Sequence, residues 1–150
     1  MAEPTVLFGE GAGSRTASGT SRLLDVGGRV FNTFAVHTNG FAGSLEIQGQ
    51  YQSEATWHKV RYWTYDPLTL APTGPSLDTI GPPATGTRHY YVFDPWRMLR
   101  VVKVQSGGTI DVDYFPQPLD PAFVAGLGVS ASTPSSGSTV VTQSDGSQLN

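Results

Sequence analysis

The chain has 150 residues, enough for one domain, with a net charge of −3 and 14 % charged residues against roughly 25 % in ordinary domains. Its Lys and Arg residues form no cluster, which speaks against nucleic-acid or anionic-membrane binding through a basic patch, and the absence of cysteine excludes disulfides, thiolate metal sites and cysteine nucleophiles. Abundant glycine (18) and proline (11), with much Ser and Thr, favour short strands and turns over helices.

Residues 1–20 are Gly/Ser/Thr-rich around one apolar cluster, Val6-Leu7-Phe8, and read as an N-terminal arm. The first ten residues carry neither a basic stretch nor an apolar core, so no secretory signal is expected. No apolar run reaches the roughly 18–20 residues needed to cross a bilayer. The expectation is a soluble chain made in a cytoplasm, with no membrane partner.

A β domain is expected over residues 21–116. Arg22–Val26 is a short strand, closed by the turn signal Gly27-Gly28. Arg29–Thr38 and Phe41–Tyr51 are strands flanking Asn39-Gly40, a strong two-residue hairpin signal. That hairpin sets Phe34 opposite Leu45 and Val36 opposite Gly43. Val30, Phe34, Val36, Leu45, Ile47 and Tyr51 then share one face, and Thr33, Ala35, His37, Ser44, Glu46 and Gln48 the other. Thr56–Tyr65 is an aromatic-rich strand ended by Asp66-Pro67. Leu68–Gly86, rich in Pro and Gly, is a long irregular connection with a short strand near Leu77–Ile80. Thr87–Phe93 is a further strand. Arg97–Gln105 and Thr109–Phe115 form a final hairpin around Ser106-Gly107-Gly108, with Val104 against Ile110, Val102 against Val112 and Lys103 against Asp111. About seven strands without a 3.6-residue period predict an all-β fold, an antiparallel β-sandwich or jelly-roll-like barrel. Beyond Pro116 the pattern stops, and residues 117–150 read as an extended, low-complexity C-terminal arm.

No catalytic motif stands out. His37, His58 and His89 lie in predicted strands without metal-ligand spacing. Asp111 and Asp113 alternate on one strand, but no Asp/Asn-rich loop accompanies them, so an ion pair is the simpler account than calcium. No serine sits in a nucleophile elbow, no pair of carboxylates can be placed for glycoside hydrolysis, and Gly9–Ser14 lacks the Lys-Ser/Thr of a phosphate loop. No enzymatic activity, cofactor or metal is expected. Trp57, Trp63 and Tyr65 share one parity with Lys59 and Arg61; a sugar platform, a protein interface and a plain partial core all remain open for this face.

Phe41–Trp57, followed by Tyr90-Tyr91-Val-Phe and by Arg97-Met-Leu-Arg-Val-Val-Lys-Val-Gln-Ser-Gly-Gly-Thr-Ile-Asp-Val-Asp-Tyr-Phe, resembles small β-sandwich virion proteins of tailed bacteriophages. The resemblance covers roughly Phe31–Phe115. It implies a non-enzymatic virion structural protein, of the capsid decoration (cement) type, bound to the major capsid protein or other virion proteins and forming a homo-oligomer, by analogy a trimer. A tail or head–tail accessory protein and a carbohydrate-binding module are the alternatives it leaves. On that reading, partner contacts are expected at Trp57, Trp63 and Tyr65. Further anchor points are expected along the arms at Val6–Phe8, Phe123, Val124, Val140 and Val141.

Overall fold

The computed structural model describes residues 5–9, 12–51, 55–66 and 71–117. Among them the chain is all-β and antiparallel, with no helix. Its nine strands are β1 (Thr5–Phe8), β2 (Gly19–Thr20), β3 (Leu24–Asp25), β4 (Asn32–Gln50), β5 (His58–Lys59), β6 (Tyr62–Asp66), β7 (Ala71–Ser76), β8 (Gly86–Val92) and β9 (Met98–Phe115).

Neither expected hairpin forms. β4 runs 19 residues straight through Asn39-Gly40, and β9 runs 18 residues straight through Ser106-Gly107-Gly108. The two long strands pair with each other, Phe34 opposite Tyr114, Val36 opposite Val112, Leu45 opposite Lys103 and Ile47 opposite Val101. Val104 therefore faces Ser44 instead of Ile110, and it is 62 % exposed. The register shifts between Asn39 and Gly43, opposite the glycines of β9, so both strands are bulged at one level. Here the backbones nearly touch. A Cβ on Gly108, at φ +75°, would lie 2.2 Å from the Gly40 carbonyl, and one on Gly43 would lie 2.0 Å from the Val104 oxygen.

The bulges explain why the alternation misled. A two-residue turn and an odd bulge both invert which parity faces the core. Even positions before Asn39 and odd positions after Gly43 point inward under either arrangement. Phe34, Val36, Leu45 and Ile47 are buried as expected, whereas Val30 (54 %) and Tyr51 (52 %), just outside the strand, are exposed. In β9 the inward residues switch from Leu99, Val101 and Lys103 to Ile110, Val112 and Tyr114.

The bulged ribbon divides the strands into two groups, as in sandwiches whose strands pass from one layer to the other. The larger layer has the order β1, second half of β9, first half of β4, β8, β6, β7. The smaller layer sets β2 and β3 beside the first half of β9, then the second half of β4, then β5. Inward residues of both layers join one buried cluster that includes Phe34, Val92, Val112, Ile47, Leu99 and Val101. Each such side chain contributes about 1.5–3 kcal/mol by leaving water.

Residues at the chain start also belong to the sheet. β1 pairs with β9, Thr5 opposite Tyr114, and Leu7 and Phe8 are each 1 % exposed. Residues 5–8 are thus a core strand and not part of an arm, because the apolar cluster is buried on its own domain. The turn at Gly27-Gly28 forms, with both φ positive and Arg29 N–H donating to the Val26 carbonyl at 2.9 Å. It does not join a hairpin, since β3 pairs with β9. The expected strand at Leu77–Ile80 is displaced to β7. Leu45 and Ile80 instead exchange two backbone hydrogen bonds, at 2.8 and 2.9 Å. Pro72 and Pro75 are tolerated because β7 is an edge strand. Phe123, Val124, Val140 and Val141, with nearly all of residues 117–150, lie outside the described residues.

Candidate functional site

The expected single face of Trp57, Trp63 and Tyr65 does not exist. The strand breaks at Val60-Arg61, where Val60 N–H donates to the Ile47 carbonyl at 3.1 Å. Trp57 and β5 stay beside β4 in the smaller layer, while Trp63 and Tyr65 enter β6 in the larger one. Shared parity thus places the three residues on two different faces.

At β6 and β8 the outer face of the larger layer is aromatic, whereas toward β4 and β9 it carries His37, Asp111 and Asp113. Trp63 pairs with Tyr91, Tyr65 with His89, and Thr33 with Tyr91, all on the side opposite the core residues Phe34 and Tyr90. Phe93 meets Phe31 edge-on at 5.2 Å, Trp63 at 5.0 Å and Tyr91 at 6.3 Å; Tyr65 lies 6.2 Å from His89. Tyr65, Tyr91 and Thr33 are fully buried and Ala35 is 3 % exposed, whereas Phe31, Trp63 and Phe93 stay partly exposed. Tyr65 is therefore not an accessible contact residue, and Thr33 and Ala35 are not on a solvent face as the alternation implied. Where the chain leaves β9, Thr33 Oγ1 donates to the Gln117 carbonyl at 2.6 Å.

Charged groups sort around these faces. Arg15 grips Asp111 with two bonds, 2.8 and 3.0 Å, in place of the expected Lys103. Arg61 grips Asp94 in the same way, both at 2.9 Å, which raises the guanidinium above its ordinary value. Burial raises the Asp113 carboxyl, with His37 opposing and Asp111 adding to the rise. Lys103 points inward and is 1 % exposed. Its ammonium donates to the Ser14 carbonyl at 2.7 Å and to Gln105 Oε1, and sits 4.6 Å from the Phe8 ring centre. Burial pushes it below its usual value. A polar chain links Arg29 to the Tyr114 hydroxyl at 3.0 Å and Tyr114 to the buried Asn32 side chain, whose amide donates to the Arg29 carbonyl at 3.0 Å.

The outer face of the smaller layer carries an ordered polar row. Gln48 donates to Glu46 at 2.9 Å and accepts from Arg100 Nε at 2.7 Å; the Arg100 guanidinium lies 4.1 Å from the centre of the Trp57 ring. Alternation alone placed Glu46 and Gln48 outward, but Arg100 joins them only through the β4–β9 pairing, opposite Gln48. Among the described residues, no three His, Asp or Glu side chains gather as a metal site. Small clefts are lined by described residues. One, about 290 Å³, is lined by Tyr62, Thr64, Ile80, Pro83, Arg88 and Tyr90; another, about 270 Å³, by Gly27, Gly28, Tyr51, Pro95 and Arg97. Compared with family models, with curated proteins and with solved structures, the chain matches none.

Proposed function

We propose that this chain is a non-enzymatic structural protein of a bacteriophage virion, of the decoration type that binds the major capsid protein and stabilises the head. The observation that carries the reading is an aromatic cluster on the outer face of the larger layer, at β6 and β8, next to the polar residues His37, Asp111 and Asp113 of the same face. Phe31, Trp63 and Phe93 lie partly exposed there around the fully buried Tyr65 and Tyr91. A sheet of an isolated sandwich ordinarily turns a polar face to water. Aromatic residues at the rim of such a face, beside the Arg61–Asp94 pair, have the composition of contact anchors. The resemblance over Phe31–Phe115 supplies the kind of assembly, and the low-charge sequence of residues 117–150 suits a segment that lies along neighbouring proteins.

The test is to locate the protein in purified particles by cryo-microscopy and to rebind the full chain, Trp63→Ala and a chain truncated after Gln117 to particles lacking it. Regular copies on the head surface, with occupancy reduced by W63A and by truncation, are expected. Absence of the protein from purified virions would sink the proposal.

A further inference from the structure

We infer that the outer face of the smaller layer is a binding site for a neutral hexopyranose, formed by Trp57, Arg100, Gln48 and Glu46. This goes beyond the proposed structural role and uses a different face from the aromatic one.

The four side chains come from three strands or their approaches. Glu46 and Gln48 stand two apart on β4, so both project outward. Arg100 is the cross-strand partner of Gln48 on β9, and Trp57 leads into β5, which pairs with β4 through Gln48 and Lys59 on the other side. Gln48 fixes the set: its amide group donates to Glu46 and its oxygen accepts from Arg100 Nε. The same guanidinium lies over the Trp57 ring, its carbon 4.1 Å from the ring centre. Exposed polar pairs contribute little to stability, so a locked row on a solvent face has small value as scaffold. Its value lies in holding groups ready for a ligand.

What remains unused defines the ligand. Among the described residues, the two terminal nitrogens of Arg100 and the second oxygen of Glu46 make no hydrogen bond to the protein. A rigid donor fork therefore stands near an acceptor, beside a partly exposed indole. Vicinal hydroxyls of a pyranose answer this arrangement, since each accepts one hydrogen bond and donates another. The C–H face of the ring supplies an apolar surface for the indole. A phosphate or carboxylate ligand would satisfy Arg100 but would meet the carboxylate of Glu46, and a cation would meet Arg100 and Lys59. The uncharged ligand is the one that leaves no charge opposed.

The test uses the full chain on an array of neutral gluco-, galacto- and manno-configured oligosaccharides, followed by titration of the best binder while observing the tryptophan indole N–H resonances. The expected result is a shift of the Trp57 signal. Binding should weaken at least about tenfold, about 1.4 kcal/mol, in Arg100→Ala and in Gln48→Leu, and stay unchanged in Trp63→Ala. Gln48→Leu keeps the strand and the indole, so retained backbone spectra separate lost binding from lost folding. No binding across the array, or binding that survives both R100A and Q48L, overturns the site. Either result leaves the virion proposal standing, because that rests on the other layer and on particle occupancy.

Discussion

Gly108 sits at φ +75° with the Gly40 carbonyl 2.2 Å from where a Cβ would stand. Alanine there must adopt a left-handed backbone, at about 1–2 kcal/mol, and must also push apart two paired strands. Gly108→Ala is expected to destabilise the fold by at least about 3 kcal/mol in urea unfolding, whereas Gly19→Ala, with nothing within 4 Å of its Cβ, stays near neutral. Equal effects at both sites would contradict the bulged crossing. Lys103 allows a test by pH. Burial lowers its folded pKa, so between that value and 10.5 the unfolded chain binds more protons than the folded one. Stability from this group therefore rises with pH through that window, and at neutral pH the cost of burying the ammonium is present. The stability of the wild type relative to Lys103→Met should accordingly increase from pH 7 toward pH 10.5. A difference independent of pH would show that Lys103 is not desolvated as described.

At the scale of elements, the informative pair is β4 and β9. Hydrophobic alternation located the core residues of β4, Phe34, Val36, Leu45 and Ile47, but assigned them the wrong partners, and it turned the first half of β9 over: Val102 and Val104 face outward, opposite Glu46 and Ser44, while Leu99, Val101 and Lys103 are buried. The reason is geometric: Asn39-Gly40 satisfies a hairpin turn and a bulge alike, and both reverse the inward parity of the residues beyond Gly43. β1 carries the opposite lesson. Val6-Leu7-Phe8 was visible as an apolar cluster, yet four residues amid Gly, Ser and Thr gave no sign that their partner lay at the far end of the domain. Phe8→Ala should cost about 3–5 kcal/mol, as expected for a large side chain removed from a packed core. A loss below about 1 kcal/mol would return β1 to the status of a loosely attached arm.

For the whole molecule, the two outer faces divide the functional questions. One is aromatic and belongs to the layer of β8 and β6; the other is a hydrogen-bonded polar row on β4 and β9. The shared parity of Trp57, Trp63 and Tyr65 suggested a single surface, and the break at Val60-Arg61 separated it into two. The site around Arg100 was only half legible. Outward-facing Glu46 and Gln48 followed from alternation, but Arg100 and Trp57 reach them by strand pairings distant in sequence. The sequence by itself determined the all-β class, the inward parity of both halves of β4 and glycines at positions such as Gly27, Gly28, Gly40 and Gly108, where φ is positive. These are properties of side-chain burial and of φ, and a residue carries them wherever its strand is placed. Only the tertiary structure decided which strands are neighbours. Backbone hydrogen bonds join strands without regard to side-chain identity, so β4 could pair with β9 as readily as fold back on itself.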